Sequence, residues 1–379
     1  MISAIFFTWF FVACLWTANA LRRPVPPGKR LPPLWLPGMI VSELAPIYLL
    51  LRAGICTAFL ALGAADSDVG RAGVALFALS EVGLIPLITR SVRSAAATGH
   101  PPSLLTLLKV TERLPRGVRH TAEVPYWDSL TLDVYSRSDT EHAPTLVYVH
   151  PGSWMRGRPG RQARALFYRL AAAGWVVFDI RYPLSPRATF PDHLVGVKRA
   201  IAWAKDGGAR FGSDPRRVVI SGGSSGAHLA ALAALTAANK SLQPGFEEED
   251  TSVLACVPFY GIYDLLVRNP TRYDWPFIAQ VVMKARPADD RALYELGSPI
   301  DQVHGDAPPF FVVHGEFDSV VLPAESEHFV AALKAHGVAT RYHEVGGAQH
   351  GFDAIASLRS RAVADMCVEW LSQVRLKRR

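Results

Sequence analysis

The segment that most constrains the fold is residues 218–228, which read VVISGGSSGAH. An apolar run typical of a buried strand leads into G-x-S-x-G, and an Ala/Leu-rich helical pattern follows at once. A serine in this setting stands on a sharp strand-to-helix turn, where the flanking residues must be small. Gly222 and Gly226 bracket Ser224, so Ser224, and not the adjacent Ser225, is the candidate nucleophile.

Short β-rich runs alternate with helical patterns from about residue 119 onward. This alternation predicts an α/β fold in which helices cover both faces of a mostly parallel sheet. The strand candidates are 119–125, 130–136, 145–149, 175–180, 217–221, 254–259, 310–314 and 340–345. The helix candidates are 161–173, 192–205, 225–238, 323–336 and 355–374.

Two later loops supply a candidate acid and a candidate base. The predicted strand 310–314 leads to Asp318, and the predicted strand 340–345 leads to His350. The order Ser, Asp, His, with each residue at the carboxyl end of a strand, predicts a nucleophile–acid–base triad. Glu316 is the rival acid, but its position in the loop favours Asp318. The neighbouring histidines that we expect to serve in packing or at the surface are His228 and His314.

An upstream loop is a candidate oxyanion hole, in which backbone N–H groups stabilise the negative charge of a tetrahedral intermediate. The predicted strand 145–149 ends in HPGSW. Pro151 has no N–H, so the expected donors are Gly152 and Ser153, together with the N–H of Ser225. The alternative is an ordinary tight turn. We expect His150 to be structural in both cases.

Residues 119–374 resemble the hormone-sensitive-lipase-like and feruloyl-esterase-like carboxylesterases of the α/β-hydrolase superfamily. They are especially similar to actinobacterial lipase/esterases that carry an N-terminal hydrophobic extension. The matching stretches are HPGSW, DIRYPLSPRATFPDH, DPRRVVISGGSSGAHLA, HGEFDSVV and GAQHGF. The resemblance implies an α/β-hydrolase fold and hydrolysis of small-molecule or lipid carboxylic esters. The HPGSW loop departs from the usual H-G-G-G form of the family.

The triad predicts attack through an acyl-enzyme, for which no metal or cofactor is needed. Amide hydrolysis or acyl transfer by the same residues is an alternative, and a non-catalytic ligand-binding homologue is a second one. An insertion at 262–304 is expected to form a cap over an apolar acyl pocket, or else to pack its own aromatic residues. The candidate substrate-binding residues are Trp154, Trp275 and Phe277.

The hydrophobic excess of the chain is concentrated before residue 90. Residues 2–20 carry no charge and are long enough to cross a bilayer, although the ANA at 18–20 also fits a cleaved signal peptide. Six prolines at 22–38 predict an extended loop. We therefore expect a membrane-anchoring region at 1–90, a linker at 91–118 and a catalytic domain at 119–379.

Two further apolar stretches, at about 44–64 and 72–89, each contain one charge, Arg52 and Glu81. Charges at matching depth in a helical hairpin could neutralise each other, so an Arg52–Glu81 contact is predicted. Two interfacial amphipathic helices are the alternative. The positive charges flanking these stretches place the catalytic domain on the cytoplasmic side, a topology that inverts if residues 1–20 are cleaved.

The formal net charge is +7, but the chain lacks basic runs with interleaved aromatic residues. Nucleic-acid binding is therefore not expected. The four cysteines show neither a disulfide framework nor metal-ligand spacing.

Overall fold

The computed structural model describes residues 1–24, 34–100, 102–272 and 275–374. Part of the predicted Pro-rich loop, 25–33, and the basic C-terminal residues 375–379 lie outside the described residues.

The chain divides into two compact units. The first unit consists of Met1–Thr111, Gly315–Val320 and Val345–Val363. The second unit consists of Glu112–His314, Val321–Glu344 and Ala364–Arg379.

The N-terminal part of the first unit is helical. Its helices are α1 (Ile2–Leu21), α2 (Trp35–Glu43), α3 (Ala45–Ala61), α4 (Asp68–Ala96) and the short α5 (Leu104–Leu107). Ser67 caps α4, because its side chain accepts a hydrogen bond from Gly70 N at 3.2 Å. By length and composition α1 and α4 could each cross a membrane, and α2 with α3, which meet at a bend of 83°, could form a third, broken span.

Two expectations for this region are wrong. The extended loop does not reach residue 38, because α2 begins at Trp35 and holds Pro37 in its first turn, where a missing N–H costs no helical hydrogen bond. Arg52 does not bond to Glu81. Its guanidinium donates instead to Thr17 Oγ1 at 2.9 Å and to the Ser80 carbonyl at 3.4 Å, so a third helix supplies the polar partner.

The second unit is built on an eight-stranded sheet with the order β1-β2-β4-β3-β5-β6-β7-β8. The strands are β1 (Val118–Trp127), β2 (Leu130–Arg137), β3 (Ala143–Val149), β4 (Val176–Ile180), β5 (Ser213–Gly223), β6 (Cys256–Phe259), β7 (Phe310–Gly315) and β8 (Thr340–Val345). β2 pairs antiparallel with β1 and β4, whereas β4, β3, β5, β6 and β7 pair in parallel. The predicted mostly parallel sheet is confirmed.

β4, β6 and β7 are buried along their whole length, and β5 is buried from Val218 onward, as expected of parallel strands covered on both faces. The remaining helices are α6 (Arg164–Ala172), α7 (Asp192–Asp206), α8 (Ser225–Leu235), α9 (Arg291–Leu296), α10 (Pro323–Ala335) and α11 (Leu358–Gln373). Because α8 follows β5 directly, the Ser224 turn lies at the carboxyl end of a central strand.

Candidate active site

Ser224 occupies a strained turn between β5 and α8. Its backbone angles are φ 53° and ψ −120°, a region that residues with a side chain rarely adopt. The turn is held by Ser224 N donating to Phe259 O at 2.9 Å and by His228 N donating to Ser224 O at 3.0 Å. The hydroxyl thus stands at the tip of a turn fixed by its neighbours, as the chemistry of a nucleophile requires.

The glycines around Ser224 are dictated by close backbone packing. A Cβ added at Gly226 would lie 2.1 Å from Val149 O, and one at Gly222 would lie 2.5 Å from Gly226 O. β3 and β5 pair in parallel with Val149 opposite Gly222, so the loop after β3 lies beside the start of α8. The G-x-S-x-G spacing is therefore a steric requirement of this turn.

The candidate oxyanion loop has an unusual backbone. Gly152 has φ 141° and Ser153 has φ 55°. The Gly152 carbonyl accepts from Met155 N at 3.1 Å and from Arg156 N at 3.0 Å, which closes a tight turn. Ser225 N belongs to the first turn of α8, whose N–H groups have no acceptor within the helix. These features fit backbone N–H groups serving as oxyanion donors.

The histidines near this loop are packing residues, as predicted. Burial lowers the pKa of His150 to about 4, and its ring stacks on Tyr182 with centroids 4.5 Å apart. Burial likewise lowers the pKa of His228 to about 3, and its Nε2 lies 2.7 Å from Gly297 O. His314 is also buried, with Nδ1 2.7 Å from Ser326 Oγ. All three rings are packed within the fold, and His150 and His228 are neutral at physiological pH.

Trp154 differs from its predicted role in substrate binding. The side chain is only 1% exposed, and its Nε1 donates to His228 Nδ1 at 3.2 Å. The indole ring also packs edge-on against the His228 ring. Trp154 is therefore a packing residue at the end of the candidate oxyanion loop, because its side chain is buried and its one polar atom already has a buried partner.

The loops that carry Asp318 and His350 meet within the first unit. His350 Nδ1 lies 2.6 Å from Asp318 Oδ2, and the other carboxylate oxygen accepts from Val320 N at 2.9 Å. Asp318 is fully buried. The two loops are also joined by Gln349, whose Oε1 accepts from Ser319 N at 3.2 Å. An acid held in this way orients the imidazole and stabilises its protonated form.

Glu316, the rival acid, has a different contact. Its Oε2 accepts from Gly347 N at 2.8 Å, and its Oε1 lies 3.4 Å from Arg23 Nη2. It thus fixes the backbone of the histidine loop and pairs with a cation from the N-terminal region. Of the two acids considered, Asp318 is the one that contacts His350.

The insertion between β6 and β7 places the other two candidate substrate residues side by side. Trp275 and Phe277 stack with centroids 5.9 Å apart, and both rings are partly exposed. The Arg272 guanidinium lies 5.2 Å from the Trp275 ring. A one-turn π-helix (Ile278–Met283) follows directly. Tyr273 lies outside the described residues.

The sequence did not reveal how closely the N-terminal helices contact the histidine loop. The Trp35 ring meets the His350 ring edge-on with centroids 6.2 Å apart. Arg359 Nη1 donates to Glu43 Oε1 at 2.8 Å, and its Nε donates to Gly346 O at 3.0 Å. The sequence signal for this contact was a single acid, Glu43, between two apolar runs. In the described ranges, no group of three His, Cys, Asp or Glu residues is placed to hold a metal ion.

Comparisons with known proteins establish the family. The BD-FAE family model matches residues 132–333, which is more than half of the chain. The chain belongs to the BD-FAE family. Esterase LipQ of Mycobacterium tuberculosis is 43% identical over 279 residues, covering 72% of this chain and 66% of LipQ. Esterase LipC of the same organism is 36% identical over 308 residues, covering 76% of each chain.

Solved structures agree with this family assignment at the level of the fold. Thermogutta terrifontis esterase 2 superposes with a TM-score of 0.58 at 22% identity, covering 71% of this chain and 98% of the esterase. Together with LipQ and LipC, this likeness confirms the predicted α/β-hydrolase fold of the carboxylesterase type. The matched region spans about two thirds of LipQ.

Proposed function

We propose that this chain is a serine carboxylesterase in which Ser224 is the nucleophile, His350 the general base and Asp318 the acid. The observation that carries the proposal is the 2.6 Å contact between His350 Nδ1 and Asp318 Oδ2. With Nδ1 facing the carboxylate, Nε2 is the ring nitrogen that would take the serine proton. The strained Ser224 turn and the esterase relatives support the same chemistry.

In this mechanism Ser224 Oγ attacks the ester carbonyl while His350 Nε2 accepts its proton. The tetrahedral oxyanion is stabilised by the N–H groups of Gly152, Ser153 and Ser225, and loss of one donor would cost about a hundredfold or more in turnover. His350 then protonates the leaving alcohol. Water, deprotonated by the same imidazole, then attacks the acyl-enzyme. The carboxylic acid product is released, and the imidazole returns the proton to Ser224 Oγ.

Labelling with a fluorophosphonate probe tests the nucleophile. We expect one adduct per chain, located by mass spectrometry on Ser224 and absent in Ser224→Ala. Ser225→Ala is the matched control, which keeps the label because the proposed donor is a backbone N–H. An adduct that persists in Ser224→Ala would contradict the proposal.

We further propose that residues 1–90 anchor the enzyme in a membrane, with the catalytic domain at 119–379. The length and apolar composition of α1 and α4 support this. Arg22 and Arg23 follow α1, and Arg90 and Arg93 lie near the end of α4; these basic residues favour a cytoplasmic catalytic domain. The protein should stay in the membrane fraction after carbonate extraction at alkaline pH, and its release would contradict a spanning anchor.

The partly exposed Trp275 and Phe277 pair supports a role for the insertion in binding the acyl group. Trp275→Ala should change the preference for acyl-chain length. Trp203→Ala is a control outside the insertion, because Trp203 packs edge-on against Phe178. An unchanged preference in Trp275→Ala would assign the insertion a purely structural role.

A further inference from the structure

An apolar groove of about 870 Å³ runs between α1 and the bent pair α2–α3, within the first unit. Its wall on α1 includes Ile5, Val12 and Trp16. Its wall on α2 includes Leu36 and Pro37. The lining is mostly apolar; its polar side chains include Thr8, Tyr48 and Arg52, and the Arg52 guanidinium already donates to Thr17 and Ser80. Such a cleft suits a hydrocarbon chain and not a peptide or a sugar.

One end of the groove lies next to the proposed catalytic base. Trp35, which contacts the His350 ring, directly precedes the groove residues on α2. Asn19 Nδ2 donates to Leu34 O at 2.9 Å, and Leu34 N donates to Asn19 Oδ1 at 2.8 Å. These bonds hold the end of α1 beside the start of α2. The Trp16 end of the groove is therefore the end near His350.

The other end of the groove lies at the start of α1. Met1 also lines the groove, fifteen residues before Trp16. At a rise of 1.5 Å per residue, the two ends are separated by about 22 Å along the helix. The groove is thus long enough for an extended fatty-acyl chain that lies along α1.

The α2 helix is fixed to the loop that carries His350. Ser42 Oγ donates to Gly347 O at 3.3 Å, and the buried Glu43–Arg359 ion pair joins the end of α2 to the segment after that loop. Arg359 Nε donates to Gly346 O as well. The position of the groove relative to His350 is therefore set by direct contacts.

We propose that this groove holds the long acyl chain of a lipid ester while its carbonyl lies beside His350. This inference rests on the proposed esterase function and assigns its substrate class as long-chain esters drawn from the membrane. Because α1 and α4 are apolar enough to lie in a bilayer, such a chain can enter sideways from the lipid without crossing water.

Matched Val→Trp variants of the full-length protein test the proposal. Val12→Trp fills the groove, and Val82→Trp places the same bulk on an exposed position of α4 outside the groove. The assay compares kcat/KM for p-nitrophenyl palmitate with kcat/KM for p-nitrophenyl acetate in detergent micelles. We expect the palmitate-to-acetate ratio to fall about tenfold or more in Val12→Trp, since each methylene denied its site weakens binding. In Val82→Trp the ratio should stay within about twofold of wild type.

A second pair of variants distinguishes a blocked groove from a general loss of folding. Ile5 lines the groove farther from Trp16, and Ile85 is its exposed counterpart on α4. Ile5→Trp should reduce activity only toward acyl chains longer than those rejected by Val12→Trp. Ile85→Trp should leave the longest accepted acyl chain unchanged. A misfolded variant would not produce this ordered change in chain length.

Labelling with short-chain and long-chain alkyl fluorophosphonates distinguishes failure of the proposed esterase function from failure of the proposed acyl-chain groove. Wild-type protein that reacts with neither probe would overturn the proposed function. If the wild type reacts with both probes and the palmitate-to-acetate ratios of Val12→Trp and Val82→Trp are equal, the proposed role of the groove is wrong. The proposed serine esterase function would still stand. A lowered ratio and slower long-chain labelling in Val12→Trp alone would support the groove.

Discussion

Removing the Glu43 carboxylate should destabilise the first unit strongly. Glu43 and Arg359 form an ion pair in which both side chains are fully buried, with Nη1 and Oε1 2.8 Å apart. In Glu43→Ala the guanidinium keeps only neutral acceptors, namely Gly346 O and the Ser42 hydroxyl and carbonyl. An uncompensated buried charge of this kind costs about 3–5 kcal/mol. Ser357 would also lose its acceptor, because its Oγ donates to Glu43 Oε2 at 2.6 Å.

The assay is equilibrium unfolding in urea of detergent-solubilised protein, followed by near-UV circular dichroism. The control is Glu43→Leu combined with Arg359→Met, which removes both charges and should lie within about 1 kcal/mol of wild type or above it. Because the pair holds α2 against the loop before His350, Glu43→Ala should also lower kcat more than it raises KM. A loss below about 1 kcal/mol for Glu43→Ala would refute the reasoning.

Four other predictions follow from the site and the sheet. Asp318→Asn should lower kcat by about 10⁴-fold because the imidazole loses its orienting anion. Glu316 contacts Gly347 N and Arg23 instead of His350, so Glu316→Gln should retain most of the activity; similar losses in steady-state assays would contradict the assignment. Ser224→Gly should be about 1 kcal/mol more stable than Ser224→Ala, because glycine relieves the strained backbone; equal melting curves would exclude strain at this turn. Gly226→Ala should lower the free energy of unfolding by about 3 kcal/mol or more, because the added Cβ clashes with Val149 O. Gly54→Ala is the control in urea unfolding, because a Cβ there meets open space. Burial raises the pKa of Asp179 to about 8, so folding takes up a proton between about pH 4 and pH 8, and the free energy of unfolding falls as the pH rises through that interval. Asp179→Asn should flatten this pH dependence, measured by urea unfolding at pH 5 and pH 8. An unchanged pH dependence in the variant would show that other groups cause it.

The fold of the second unit could be predicted because its signals are local. Buried parallel strands are short apolar runs between turn residues, and 145–149 and 310–314 match β3 and β7 closely for that reason. β5 begins earlier than expected, at Ser213, because its first residues are polar and include Pro215. The Ser224 turn and its glycines were recognisable because the spacing itself is set by sterics.

Contacts between distant segments could not be predicted in this way. Glu43 and Arg359 are 316 positions apart, and no periodicity relates them. The Arg52 prediction failed because depth in a hairpin does not determine which neighbouring helix a side chain faces, and Thr17 on α1 supplies the acceptor. The burial of Trp154 could not be predicted, because an aromatic residue after such a loop can face either a pocket or the interior. Such choices depend on tertiary packing.

The distance between Ser224 Oγ and His350 Nε2 in an experimental structure of the full-length protein tests the proposed triad most directly. The account predicts about 2.6–3.2 Å, with the Asp318 carboxylate on the opposite nitrogen of the same ring. A serine hydroxyl too far from His350 for even one bridging water, or an imidazole turned toward another acid, would contradict it.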